Sequence, residues 1–223
     1  MVNPSPIFVF DAFGTLFDVH SAARENAARL GDAAVRVSEI WRAKQLEYTW
    51  IAAGISTGAG EAAPPFRELT RLSLHYALNV CGLAADVAPG LLESYQRLAP
   101  FAEVPATLRR LKASGAKLAI LSNADPDMLD DLVISARLEG VFDHLISARV
   151  AGTFKPAARV YALSLVVFHC EPGAITFVSS NRWDAAGAKA FGFNTIWVNR
   201  TEAPDEYADL PADRVVADLS FVV

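Results

Sequence analysis

Between residues 105 and 198, short apolar runs alternate with helical stretches, and this constrains the fold more than any other feature of the chain. Lys117-Leu118-Ala119-Ile120-Leu121 reads as a buried strand ending in Ser122-Asn123. Ile175-Thr176-Phe177-Val178 reads as another, followed at once by the polar segment from Ser179 to Asp184. Residues 142–147 and 195–198 give two more strands, and residues 214–217 a last one at an edge. Between them, residues 105–113, 127–138, 157–168 and 184–191 read as helices, with Gly115, Glu171-Pro172-Gly173 and Gly192 as stops. Near the N-terminus Ile7-Phe8-Val9-Phe10 supplies one further buried strand, closed by Asp11 and a turn at Gly14. Alternation of this kind predicts an α/β fold, a doubly wound parallel sheet with helices on both faces.

A different texture separates the first strand from the rest. Asp32 is placed as the N-cap of a helix running to about residue 53. Val37, Ile40, Trp41, Tyr48 and Ile51 recur at helical spacing as its packed face, and Arg42, Leu46 and Trp50 form an adjoining stripe. Gly54, Gly58 and Gly60 predict a loop that Pro64-Pro65 closes. A second helix spans residues 66–80 and stops at Gly82; a third opens at Pro89 and ends before Pro100. With no strand pattern here, residues 19–98 are expected to form an all-helical cap. Residues 1–18 and 99–223 would then form the α/β core.

This arrangement has a chemical consequence. Asp11, Ser122-Asn123, Lys155 and residues 179–184 each follow a predicted strand. In a doubly wound sheet the C-terminal strand ends share one edge, where ligands bind. The helical insert leaves the chain after Asp18, beside that edge, and is placed to act as a lid. Taken singly, these residues stay ambiguous. Asp11 is a turn cap or a nucleophile, Thr15 a turn stabiliser or a partner of that nucleophile. Ser122-Asn123 is an ordinary turn pair or an anion cradle, Lys155 a solvated lysine or a counter-charge, and Trp183 a core residue or part of a site.

Composition excludes several classes. A net charge of −5 offers no basic field for nucleic acid. No stretch of about 18 uncharged apolar residues suits a membrane span, and Met1 to Pro6 lacks the basic and apolar regions of a secretory leader. Cys81 and Cys170 form no paired motif, and His20, His75, His144 and His169 show no metal-ligand spacing. A cytoplasmic protein is expected.

The wording of the motifs then points to a family. FDAFGTLFD at residues 10–18 resembles the nucleophile motif of the haloacid dehalogenase superfamily, in particular its L-2-haloacid dehalogenase branch. The resemblance extends through WRAKQLEYTW at residues 41–50, LAPFAEVPATLRRLK, LAILSN, the Lys155-Pro156 segment and FVSSNRWD. It implies the Rossmann-like haloacid dehalogenase core with an inserted all-helical cap, and hydrolysis of (S)-2-haloacids to (R)-2-hydroxy acids through an aspartyl ester. Asp11 would be the nucleophile, with Thr15, Arg42, Lys155, Ser179, Asn181 and Asp184 as further catalytic residues. Ala12, Phe13, Arg42, Leu46, Phe66, Ser122, Asn123 and Tyr161 would contact substrate, while Arg42, Asn123 and Trp183 would take the halide.

Phosphatases of the same superfamily carry a second acid two positions after the nucleophile, and an acidic cluster that binds Mg²⁺. Phe13, Ser180 and Asn181 stand at those positions here, so no metal and no cofactor is expected. A phosphatase and a catalytically silent small-carboxylate binder are the competing readings. The resemblance also implies a homodimer formed through the helical insert, where Leu69, Leu72, Leu74 and Leu78 exceed one helix face. The partners are then a small 2-haloacid and a second copy, with no nucleic acid and no membrane. Departures from the family pattern are Phe13 for a tyrosine, Ala124-Asp125 where a glycine is commoner, Arg182 in a slot for a small residue, and Ala148 for an acid. The helix that often closes the fold in that family is not expected after Phe221.

Overall fold

Six strands, β1 (Ile7–Phe10), β2 (Lys117–Ser122), β3 (His144–Ser147), β4 (Ile175–Ser179), β5 (Asn194–Val198) and β6 (Arg214–Val216), form one parallel sheet in the order β3-β2-β1-β4-β5-β6. The computed structural model describes residues 5–59 and 62–222, so the expectations placed on Met1 to Pro4, Gly60 and Val223 lie outside the described residues. In this order the chain runs outward from β1 in both directions. The reversal falls between β1 and β4, the point where an open α/β sheet leaves a crevice. Phe10 is level with Ile120 and Val178, and the Asp11 N–H donates to Val178 O at 2.9 Å. Asp11 and the residues after β2 and β4 therefore emerge at one edge.

Alternation of side chains along the strands builds two cores. Val9, Ala119, Leu121 and Phe177 face helices α8 (Ala158–Phe168) and α9 (Arg182–Phe191), packing with Tyr161, Ala188 and Phe193. Phe10, Leu118, Ile120 and Val178 face the other way, toward Leu108 of α6 (Val104–Ala113) and Leu129 of α7 (Pro126–Ser135). The strands lie where the apolar runs put them, with β3 beginning two residues later than expected. Leu219–Val222, a 3-10 turn with Leu219 and Val222 buried, follows β6.

Residues 21–95 are helical throughout their regular elements: α1 (Ser21–Glu25), α2 (Ala27–Leu30), α3 (Ala34–Ala59), α4 (Phe66–Val80) and α5 (Ala88–Tyr95). Three expectations need correction. Asp32 lies in a 3-10 turn, Gly31–Ala33, and α3 begins at Ala34. Gly54 and Gly58 lie inside α3, because a glycine weakens a helix without necessarily ending it. Ile51 is 52% exposed; the buried face of α3 runs instead through Val37, Ser38, Trp41, Gln45, Thr49 and Ala52. Polar groups are tolerated there because they are satisfied. Gln45 Nε2 donates to Thr70 Oγ1 at 2.7 Å, Trp41 Nε1 to Thr70 O at 2.9 Å, and Thr49 Oγ1 to Leu46 O at 2.7 Å.

Helices α3 and α4 pack against each other above the sheet edge. Phe13, from the loop after β1, reaches up to α4 and α5: its ring stacks on Tyr95 of α5 at 5.5 Å and meets Phe66 of α4 at 5.4 Å. Among the described residues no helix is long and apolar enough to cross a membrane.

Candidate active site

Asp11 follows β1 at the sheet edge and is 6% exposed. Both of its oxygens are engaged. Lys155 Nζ donates to Oδ1 at 3.1 Å, while Thr15 Oγ1 at 2.9 Å and Asn181 Nδ2 at 2.8 Å donate to Oδ2. Thr15 is itself fixed, since its hydroxyl accepts the Ser180 N–H at 2.8 Å. The loops after β1 and β4 thus hold the carboxylate between them in one orientation.

Lys155 is buried at 1% exposure and bridges two carboxylates, reaching Asp184 Oδ2 at 2.8 Å as well as Asp11. Burial alone would push its pKa down; the two carboxylates outweigh that, and its pKa lies above the ordinary lysine value. Asp184, in the first turn of α9, is fully buried. Ser179 Oγ donates to its Oδ2 at 3.2 Å and Tyr161 OH to its Oδ1 at 2.8 Å. Burial raises the Asp184 pKa to about 6 against the opposing pull of Lys155. Tyr161, also buried, has its pKa lifted well above 10 by burial first and by Asp184 second, so it remains a donor. Its placement is at Asp184, behind the nucleophile.

The cap contributes Arg42 from α3. Its guanidinium donates to Asn181 Oδ1 at 3.1 Å, Phe13 O at 3.3 Å and Gln45 Oε1 at 2.9 Å. Gln45 also accepts from Tyr95 OH at 3.0 Å. Arg42 therefore stands over the Asp11–Asn181 pair without neutralising a carboxylate.

The remaining predicted residues take up distinct positions. Ala12 is buried in the turn after β1, and its carbonyl accepts three backbone N–H groups. Ser122 Oγ accepts the Ala124 N–H at 3.2 Å, and Asn123 Oδ1 accepts the Lys155 N–H at 2.8 Å, which leaves the Asn123 amide nitrogen as its donating end. Trp183 packs edge-on against Trp50 of α3 at 5.6 Å, and its buried Nε1–H has no hydrogen-bond partner among the described residues. An unpaired buried donor costs free energy unless something accepts from it, and an anion would. A cavity of about 530 Å³ opens between Leu46 of the cap and Asn181, Trp183 and Arg200 of the core. A larger apolar groove of about 730 Å³ runs from Trp50 and Trp183 past Pro156 to Leu210.

Asp125, a carboxylate added beside a candidate anion cradle, turns out to face the cap. Its Oδ2 accepts the Arg67 N–H at 2.8 Å, in the first turn of α4, where Pro65 at the N-cap supplies no side-chain acceptor. Nearby, the Ala63 N–H donates to Gly152 O at 2.9 Å and Arg149 Nη1 donates to Ala63 O at 2.6 Å. Arg182 is held inward by Asp205, the carbonyls of Tyr207 and Leu210, and the rings of Trp197 and Tyr207. Ala148 is buried in a 3-10 turn. Sequence reasoning missed Gln45 and Arg200. Gln45 had a usable signal, a long polar side chain four residues after Trp41 on the same helical face. Arg200, after β5, had none.

Comparison with known proteins agrees with this geometry. A model of the haloacid dehalogenase-like hydrolases matches residues 6–192. An (S)-2-haloacid dehalogenase of Pseudomonas sp. (strain YL) is 42% identical over 216 residues, covering 96% of this chain and 91% of that protein. A crystal structure of a dehalogenase superposes with a TM-score of 0.92 at 37% identity, over 100% of this chain and 97% of the other. The L-2-haloacid dehalogenase of Xanthobacter autotrophicus, solved with chloropropionic acid covalently bound, gives a TM-score of 0.86 at 35% identity, over 98% and 96%.

Proposed function

The chain belongs to the haloacid dehalogenase-like hydrolase family, and from that premise we propose that it hydrolyses (S)-2-haloacids to (R)-2-hydroxy acids through an ester on Asp11. The observation that carries this reading is the environment of Asp11. Its carboxylate is oriented by Thr15, Asn181 and Lys155, while position 13, where a phosphatase needs an acid to protonate an alkoxide, holds a phenylalanine packed between Tyr95 and Phe66. A departing halide needs no proton.

An Asp11 oxygen attacks C2 from the side opposite the halogen. The carbon–halogen bond breaks, and halide departs with the electron pair. Arg42, the Trp183 Nε1–H and the Asn123 amide are the donors available to it, and charge that develops in the transition state is stabilised most by donors already in place. Ser122 and Asn123 hold the substrate carboxylate, while Leu46 and Phe66 flank its alkyl side. Water then attacks the ester carbonyl carbon of Asp11. Asp184 takes its proton, with Lys155, Ser179, Asn181 and Tyr161 fixing the geometry. The acyl–oxygen bond then breaks, and the departing C2 alkoxide takes the proton held by Asp184 to become the hydroxyl of the product. Asp11 is left as a carboxylate, its remaining proton passes to solvent, and C2 ends inverted.

The donor set argues against a magnesium-dependent reaction. Among the described residues no three His, Cys, Asp or Glu side chains converge to hold a metal ion. An ammonium bridges Asp11 and Asp184, Ser180 Oγ accepts from Arg200, and Asn181 Oδ1 accepts from Arg42.

The reading further includes a cap of residues 19–98, a cytoplasmic location and a homodimer. Leu69, Leu74 and Leu78 are absorbed by the chain's own core, so the argument for a dimer rests on Leu72, Tyr76 and Val80, which leave an exposed apolar stripe on α4. The function is tested by halide release from both enantiomers of a 2-haloacid panel in the presence of EDTA. Consumption of the (S) forms alone, unaffected by EDTA, supports it. No halide release, with phosphate-ester hydrolysis restored by Mg²⁺, would replace it with the phosphatase reading.

A further inference from the structure

Arg200 lies in the turn after β5, on none of the motifs, and its side chain is 18% exposed. A guanidinium has five N–H donors, and here five hydrogen bonds use them. Nη1 donates to Gly14 O at 3.2 Å and Ser180 Oγ at 2.6 Å. Nη2 donates to Thr15 O at 2.9 Å and Glu103 Oε1 at 2.7 Å, and Nε donates to the same Glu103 oxygen at 3.2 Å. Its plane also lies over the Phe101 ring at 3.9 Å.

These contacts belong to three separate segments. Gly14 and Thr15 form the loop that carries the nucleophile, and Thr15 donates directly to Asp11. Ser180 belongs to the loop of Ser179 and Asn181, and its N–H returns to the Thr15 hydroxyl. Phe101 and Glu103 lie on the segment that brings the chain back from the helical insert, where the Phe101 N–H donates to Leu16 O at 3.0 Å and the Asp18 N–H to Ala99 O at 2.9 Å. We infer that Arg200 is a positioning residue, one that locks the nucleophile loop, the Ser180 loop and the linker from the cap into a single unit and thereby sets the aim of Asp11. Its hydrogen bonds go to the residues around Asp11, not to the Asp11 carboxylate itself. A lysine could keep the charge pair with Glu103, but its three N–H donors cannot reproduce five bonds in a planar fork.

The inference rests on the proposed dehalogenation for its kinetic consequence only. The test compares the full-length protein with Arg200→Lys, by amide hydrogen exchange and by turnover of (S)-2-chloropropionate. Expected are faster exchange at residues 11–18, 99–104 and 179–182 together, kcat lower by about 10- to 100-fold, and KM within a few-fold of the original. Faster exchange only around residue 200, or an unchanged kcat, would overturn it. If Arg200→Lys does not fold, Glu103→Gln, which keeps an acceptor and removes the charge, carries the same two readouts. If the unmodified protein releases no halide, the functional reading fails, while the exchange pattern still decides whether Arg200 joins the three segments.

Discussion

Lys155 lies closer to Asp184 than to Asp11, at 2.8 Å against 3.1 Å, although Asp11 is the carboxylate at the strand end. The ammonium is shared between the residue that would attack carbon and the residue that would activate water. One proton too many on Asp184 therefore disturbs both halves of the reaction.

The pH dependence follows with a definite sign. Burial lifts Asp184 from 3.8 to about 6, so between those values the folded protein holds a proton that the unfolded chain has released. In that window Asp184 adds stability as pH falls and withdraws it as pH rises. Activity runs the opposite way, because only the ionised carboxylate can accept a proton from water. We expect kcat to rise with pH through an apparent pKa near 6. A pH–rate profile flat down to pH 4 would contradict this role for Asp184.

Gly187 provides a test of the support behind Asp184. A Cβ at this position would approach the Tyr161 hydroxyl at 2.5 Å and Pro156 Cβ at 2.8 Å. Inside α9, Gly187→Ala should gain about 1 kcal/mol of helix propensity. Overpacking against a buried tyrosine and a rigid ring costs about 1–3 kcal/mol and should win. Displacing Tyr161 also removes a hydrogen bond that favours the Asp184 anion. The expected outcome is a lower Tm and an acid limb moved to higher pH. An unchanged Tm and profile would show that the hydroxyl does not need its present position.

Asp125 and Asp127 approach the same residue of the cap but should differ in weight. Asp125 is buried and accepts a backbone N–H at the start of α4, and loss of such an acceptor costs about 1 kcal/mol. Asp127 pairs with Arg67 at the surface, with side chains 64% and 49% exposed, and such pairs contribute about 0–1 kcal/mol. Asp125→Ala should lower Tm by several degrees and raise KM, since Phe66 lies beside the capped N–H. Asp127→Ala should do neither. Equal effects in thermal melts and steady-state kinetics would refute the cap.

The exposed stripe on α4 bears on assembly. Light scattering should give a dimer mass in the micromolar range, and Tyr76→Glu should shift it toward monomer. A monomer mass for the unmodified protein throughout that range would refute the dimer.

Much of this was legible because it is local. The strand before Asp11, the segment after β4 and the Lys155-Pro156 corner are contiguous, and parallel topology alone brings them to one edge. What escaped depends on tertiary partners. The face of α3 was misread at Ile51 because Gln45 and Thr49 look exposed by polarity, yet are satisfied by Thr70 and Leu46. Asp125 reads as an extra charge beside an anion cradle until its partner, 58 residues away, is seen. Arg200 reaches carbonyl groups, which carry no side-chain signature at all.

The central claim is that Asp11 bonds covalently to C2. If Asp11 were a general base instead, water would attack C2 directly, and the same hydroxy acid would form with the same inversion. Product stereochemistry cannot separate the two routes. A single turnover can, with enzyme in excess over (S)-2-chloropropionate in water enriched in heavy oxygen. We predict unlabelled oxygen in the new lactate hydroxyl and heavy oxygen in the peptide containing Asp11. Label in the lactate during that first turnover, with the Asp11 peptide unlabelled, would contradict covalent catalysis by Asp11.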